Sequence, residues 1–162
     1  MHIDVKDMCV GPENSIHEIV RQGIRDIHAI SNNIGNSGRG LALLLKQQQI
    51  SRATCSYVGG NPDLERQMLA GEVDTTLVPQ GTFSERIRAA GMGIRAFYTP
   101  AGAGTLVAQG KEVREFDGKE YILEPSLTAD LALVKAFKAD KAGNLVFRKT
   151  ARNFNPECAM AG

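Results

Sequence analysis

The chain has 162 residues, 43% of them hydrophobic and 23% charged, with a formal net charge of +1. That length suits one domain, and that hydrophobic share supplies a packed core rather than a disordered chain. The near-neutral balance gives no field for nucleic acid or an anionic membrane, and no apolar run approaches the roughly 18 residues of a spanning helix.

The opening residues, Met1-His2-Ile3-Asp4-Val5-Lys6-Asp7, are charged and lack the apolar centre of a secretory signal. Cys9, Cys55 and Cys158 are odd in number and scattered, which is no disulfide framework. Reduced thiols in a cytoplasmic protein are the expectation. His2, His17 and His28 form no metal-ligand spacing with these cysteines, so no metal site is expected.

Pro12-Glu13-Asn14-Ser15 reads as the start of a helix, with Ser15 and Glu18 spaced as a capping box. Ile16, Ile19 and Val20 share a face, and Gly23 is placed to end the helix. Ile27 to Ser31 predicts a short strand that stops at a glycine-rich loop, Asn32 to Gly40. Leu41 to Gln48 is helical in composition. Ile50 to Val58 is β-rich and ends at Gly59-Gly60-Asn61. Asn61-Pro62 predicts an N-cap followed by proline at the first helical position, with Leu64, Met68 and Leu69 facing inward and Gly71 closing the helix. Val73 to Val78 predicts a buried strand ending at Pro79-Gln80-Gly81. Thr82 and Glu85 then have capping-box spacing before a helix over Phe83 to Ala90.

This β-α-β-α-β-α order predicts a three-layer α/β fold, a mostly parallel sheet with helices on both faces. Three successive strands end in Asn32-Asn33, Gly59-Gly60-Asn61 and Pro79-Gln80-Gly81. In a parallel sheet those ends share one edge, where open α/β sheets bind ligands. A side-chain amide such as Gln80 held there can donate to a developing oxyanion. Asn32 and Asn33 fit either ligand contacts or plain turn residues. No nucleophile or base lies near Gln80 in sequence, so the chain reads as half of a site.

The second half changes character. Ala96-Phe97-Tyr98 is a short strand before the loop Thr99 to Thr105. Val113 to Phe116 and Tyr121 to Leu123 flank Asp117-Gly118, a hairpin signal. Leu131 to Phe137 reads as a buried strand, and Asp140 to Asn144 as a turn into Leu145 to Arg148. Other motifs are weaker. Gly35-Asn36-Ser37-Gly38 places its second glycine one position early for a hydrolase elbow and reads as a βα loop. Gly102-Ala103-Gly104 lacks the third glycine of a dinucleotide fingerprint, where Val107 stands. Arg148, Lys149 and Arg152 read as a solvated charged edge. Asp63, Glu65 and Glu85 sit in expected first helical turns, where the helix dipole accounts for them.

From Pro12 onward the chain resembles the alpha subunit of family I coenzyme A transferases. The resemblance rests on Pro12-Glu13-Asn14, Ser31-Asn32-Asn33, Ser56-Tyr57-Val58-Gly59, Pro79-Gln80-Gly81-Thr82 and Phe97-Tyr98-Thr99-Pro100. It continues in Glu112 to Phe116, Ala132 to Asp140 and Phe147 to Pro156. It implies transfer of coenzyme A between carboxylic acids by a ping-pong route through a glutamyl anhydride and a glutamyl-CoA thioester. The attacking glutamate is implied to lie on a beta subunit, in a heterotetramer. Gln80 is implied to support the oxyanion, and Asn32, Asn33, Gly59 and Gly60 to line the substrate site. Coenzyme A is implied as substrate, with no separate cofactor. Succinyl-CoA and acetoacetate are the expected pair, with acetate or butyrate and acetoacetate as the alternative. An inactive structural remnant is the competing reading.

The pattern departs from the family at its ends. The family's Gly-Gly-Phe stands where this chain has about Asp4-Val5-Lys6, with no preceding strand expected and only Cys9-Val10-Gly11-Pro12 kept of the segment that follows. The family's chain also continues past the point matching Gly162. One domain over residues 1–162, shortened or altered at both ends, is therefore expected.

Overall fold

The computed structural model describes residues 2–5, 12–36 and 38–162, with residues 2–5 described by their backbone. Lys6, the Cys9-Val10-Gly11 segment and Ser37 of the near-elbow lie outside the described residues. In chain order the first half contains β1 (His2–Val5), α1 (Glu13–Gln22), β2 (Ile27–Ile30), α2 (Ala42–Lys46), β3 (Ile50–Cys55), α3 (Pro62–Leu69), β4 (Asp74–Leu77) and α4 (Gln80–Gly91). The second half contains β5 (Ala96–Thr99), β6 (Val113–Phe116), β7 (Lys119–Pro125), β8 (Leu131–Leu133), β9 (Lys138–Ala139), β10 (Leu145–Val146) and α5 (Asn155–Ala161).

The central sheet runs β4-β3-β2-β1-β8, and each neighbouring pair in it is parallel. Side chains alternate across a strand, and β2 shows the consequence. Ala29 enters a core shared with Ile16 and Ile19 of α1, Leu44 and Leu45 of α2, and Leu64 of α3. Ile30 enters a second core with Val78, Phe83, Ile87 and Ala161, under α4 and α5. Helices therefore cover both faces, as the strand-helix alternation predicts. On the second face, a Cβ added to Gly91 would collide with Met160 Cβ, so the bare glycine is what lets α5 lie close against α4.

A separate antiparallel sheet, β5-β7-β6, packs beside α4. The Asp117-Gly118 link between β6 and β7 has φ of 50° and 74°, the double left-handed conformation of a tight hairpin turn. The Asp140–Asn144 turn joins β9 to β10, with the Asp140 carboxylate accepting from the Ala142 and Asn144 amides at 2.9 and 2.8 Å.

Several sequence expectations are corrected. Neither capping box forms. α1 starts at Glu13 behind Pro12, and Glu18 instead takes Arg21 and Gln22. α4 starts at Gln80 behind Pro79, so Thr82 is buried inside the first turn and Glu85 falls in the second turn, paired with Arg88. In both cases the non-helical backbone of a proline, ψ 62° at Pro12 and 136° at Pro79, sets the start ahead of the Ser or Thr. On α3, Leu69 is 84% exposed while Gln67 turns inward and donates to Leu45 O. The buried strand expected over Leu131 to Phe137 is observed over Leu131–Leu133, an edge strand paired with β1 among the described residues, and it is not buried: Leu131 and Phe137 are both exposed. The expected lack of a strand at this end is also corrected: β1 lies between β2 and β8 and itself includes Asp4 and Val5 of the altered glycine segment.

Candidate active site

Because β2, β3 and β4 are adjacent and parallel, the loops leaving their carboxyl ends meet along one edge. Hydrogen bonds join them. Ser56, just past β3, donates its backbone N–H to Asn32 O at 3.1 Å, and its Oγ lies 3.0 Å from the same oxygen. The Ser56 hydroxyl also meets Oε1 of Gln80. One level below, Val78 N donates to Cys55 O at 2.9 Å. Asn61 ties the next layer: its Nδ2 donates to Ile34 O and Gly35 O at 2.8 and 3.1 Å, and its Oδ1 accepts from Leu64 N, capping α3.

Gln80 is exposed at the first position of a twelve-residue helix. Pro79 supplies no side-chain cap, and the first turn carries no acidic residue. The positive end of the α4 dipole thus stands behind the Gln80 amide, an environment that favours negative charge on a ligand.

The other expected site residues reach the same edge with different engagements. Asn32 is 6% exposed, and its Oδ1 has no hydrogen-bond partner. It lines a cleft with room for about one water, together with Ser84 of α4 and Phe154, Glu157 and Cys158 from the α5 end of the chain. Asn32 therefore faces the α4–α5 side rather than open solvent. Asn33 is half-buried and accepts from Gly35 N at 3.2 Å, a local turn role. At Gly59 an added Cβ would lie 2.5 Å from Tyr57 Oη, so the glycine makes room for the tyrosine folded over it. Gly60 is exposed, with φ of 83°, facing Asn36. The edge gathers all five residues, and of these Gln80 is the one whose polar side chain is openly presented.

Two organisers escaped the sequence reading. Ser56 was visible there only as part of a matching segment, and Asn61 as a helix cap at the end of one of the three converging segments. Their tertiary bonds carry no one-dimensional signal beyond a polar residue directly after a strand. The neighbouring Cys55 is buried, and burial pushes its thiol up, with a backbone contact from Tyr57 working against that shift. Among the described residues no group of three or more His, Cys, Asp or Glu side chains could hold a metal ion. No helix among them is long and apolar enough to cross a membrane.

The coenzyme A transferase family pattern matches residues 6–162. The chain belongs to the coenzyme A transferase family. One of the subunits of the succinyl-CoA:3-ketoacid coenzyme A transferase of Helicobacter pylori is 57% identical over 95% of this coenzyme A transferase chain. The alignment covers 66% of that relative, so the chain spans about two thirds of the relative's length. Glutaconate coenzyme A-transferase from Acidaminococcus fermentans superposes with a TM-score of 0.81 at 15% identity, over 99% of this chain and 59% of that one. The decarboxylase AibA/AibB, in a variant form, superposes at 0.78 with 23% identity, over 99% and 64%. At those identities the two structures establish the shared fold alone, and the second shows that the fold is not confined to transferases.

Proposed function

We propose that this chain is the alpha subunit of a transferase that moves coenzyme A between succinyl-CoA and acetoacetate, acting with a beta subunit that carries the attacking glutamate. The observation that carries the reading is Gln80: an exposed amide at the N-terminus of α4, on the sheet edge where three loops converge. Attack of a carboxylate on a thioester carbonyl places negative charge on the carbonyl oxygen. With Oε1 engaged by Ser56, the Nε2 hydrogens of Gln80 are left to meet that oxygen. The backbone N–H groups of the first turn of α4 add to the same field.

In this route the glutamate displaces the coenzyme A thiolate and forms a mixed anhydride. The thiolate then attacks the glutamyl carbonyl, succinate leaves, and a glutamyl-CoA thioester remains. Acetoacetate reverses the sequence and departs as acetoacetyl-CoA. Coenzyme A is a substrate throughout. The alpha chain supplies oxyanion support and part of the acid site; the covalent step belongs to its partner in a heterotetramer. The 57% identity to a chain of a succinyl-CoA:3-ketoacid transferase supports this pair of acids over acetate or butyrate.

The test mixes the purified chain with succinyl-CoA and acetoacetate, with and without a beta subunit. Acetoacetyl-CoA is expected from the pair and none from the chain alone. Product from the lone chain would overturn the half-site reading, and a folded, bound pair without activity would establish an inactive remnant. In the active pair, Gln80→Ala is expected to lower turnover by about 10²–10³ with little change in stability. An unchanged rate removes Gln80 from the mechanism.

A further inference from the structure

We propose that the Ser56 hydroxyl is a positioning group that fixes which end of the Gln80 amide faces the substrate. The proposal rests on the reading of Gln80 as the oxyanion donor. Its basis is a conflict of hydrogen bonds. Ser56 Oγ lies within bonding reach of two oxygens, Asn32 O at 3.0 Å and Gln80 Oε1. A hydroxyl has one hydrogen and cannot donate to both. Asn32 O is a backbone acceptor and already receives the Ser56 N–H at 3.1 Å, so it is satisfied without the hydroxyl.

Two arrangements follow. In the first, the hydroxyl donates to Gln80 Oε1, and both Nε2 hydrogens are available to the crevice. In the second, the hydroxyl turns to Asn32 O, the amide rotates by half a turn, and Nε2 donates to Ser56 Oγ. Gln80 then presents its oxygen, an acceptor that repels a developing oxyanion. In this structure Oε1 of Gln80 faces the Ser56 hydroxyl, the amide orientation of the first arrangement, and the Ser56 N–H to Asn32 O keeps the Ser56 backbone beside that contact. Without the hydroxyl, no hydrogen bond to a described residue distinguishes the two ends of the exposed Gln80 amide.

The effect belongs to the transition state, where the oxyanion forms, so it should appear in kcat and not in KM. The experiment uses the assembled alpha–beta pair with Ser56→Ala, Ser56→Thr, Gln80→Ala and the Ser56→Ala/Gln80→Ala double variant. Side-chain amide NMR of Gln80 in the full-length chain accompanies it. Ser56→Ala is expected to lower kcat about 5- to 10-fold, the size of one neutral hydrogen bond, with KM for succinyl-CoA within about 2-fold. Ser56→Thr keeps a hydroxyl and should recover most of the rate. In the Gln80→Ala background, Ser56→Ala should cost nothing further, and the two Gln80 amide proton signals should draw together in Ser56→Ala. An equal loss in both backgrounds overturns the proposal, because Ser56 would then act independently of Gln80. If Gln80→Ala leaves the rate unchanged, the oxyanion reading fails and takes the proposal with it. If the Gln80 amide signals are identical with and without the hydroxyl, the positioning claim fails while the oxyanion reading stands.

Discussion

Glu124 offers the sharpest test of how α4 is held. Its side chain is fully buried in β7, with Oε1 accepting from Lys111 Nζ at 2.6 Å. Oε2 has no hydrogen bond but lies 4.0 Å from Arg86 Nη1 on α4. Arg86 also donates its Nε to Pro125 O at 2.7 Å, and its own carbonyl accepts from Leu127 N at 2.9 Å. Burial draws the guanidinium below its ordinary range, and the Glu124 charge works against that draw. The helix that begins at Gln80 is thus clamped to the small sheet through a buried charge cluster. At 4.0 Å, an effective dielectric near 20 makes the Arg86–Glu124 attraction about 4 kcal/mol before desolvation is subtracted. Removing the carboxylate strands a cation that is only 14% exposed, whereas Lys111, at 29%, retains more access to water. Glu124→Ala should therefore cost about 3–5 kcal/mol, mostly through Arg86. For a chain of this length that lowers Tm by about 6–20 °C. Glu124→Gln, which keeps an oxygen for Lys111, should fall between wild type and Ala. Replacing all three residues together by apolar side chains of similar volume should recover most of the loss, because no buried charge is left without its partner. Urea and thermal melts followed by circular dichroism measure each step. A Glu124→Ala cost below about 1 kcal/mol, or a triple variant as unstable as the single, would refute the stranded-charge argument.

Gly35 has φ of 68°, and a Cβ there would lie 2.6 Å from Arg39 O and 2.7 Å from Ala42 N, both backbone atoms. Gly35→Ala should cost more than about 2 kcal/mol, and a melting curve matching wild type would show that this loop yields freely. Cys55 is buried and its thiol is pushed up, so iodoacetamide should label it at least ~100-fold more slowly in the folded chain than in urea. Prompt labelling of Cys55 in native protein, mapped by mass spectrometry, would contradict its placement. The Asp140 carboxyl is held below its ordinary 3.8 first by the Asn144 side chain and then by the Asn144 backbone amide. A lowered folded pKa stabilises the turn above the unfolded value, and the contribution is lost as pH falls through the folded one. A carbon-detected titration of Asp140 should show a midpoint under 3.8 that rises in Asn144→Ala; a midpoint at or above 3.8 in wild type refutes the turn's role.

The parallel half of the fold was legible because the order of strand, Asn, Gly or Pro, and helix repeats, although β4, expected to be buried over Val73 to Val78, is an edge strand exposed at Asp74, Thr76 and Leu77 with Val73 and Val78 buried beside it. The Asp117-Gly118 hairpin and the Asn61 cap were legible for the same reason, since each is a local backbone requirement. The errors have a common origin in nonlocal or competing effects. At Pro12 and Pro79 a fixed backbone begins the helix before the Ser or Thr can cap it, so a valid spacing pattern described nothing. Residues 2–5 carry no apolar run, and only pairing with β2 and β8 makes them a strand. Leu131 to Phe137 has the composition of a longer buried strand, but strand pairing, which composition does not carry, places only Leu131–Leu133 at the sheet edge, with Leu131 exposed.

The site shows the same division between what is local and what is assembled. The place of Gln80 at the strand-to-helix junction was legible because Pro79-Gln80-Gly81 directly follows an expected strand. Ser56 was not, because its role exists only when β3 lies between β2 and β4. Asn32, Ser56 and Gln80 are spaced 24 residues apart in each step, one strand-helix unit each, so they occupy the same phase of three successive units. Adjacent parallel strands turn that spacing into direct contact. The connection is also directional: Asn32 O anchors the Ser56 backbone, Ser56 meets Gln80, and Gln80 stands open. On the proposed role of Gln80, a change in the loop after β2 should therefore reach Gln80 through Ser56, although no described residue of that loop touches Gln80 in a hydrogen bond. Gly35→Ala distinguishes this chain of contacts from simple instability. Corrected for the fraction folded, its turnover should fall further when Ser56 is present than when Ser56 is alanine, and equal losses would show that the β2 loop and Gln80 are independent.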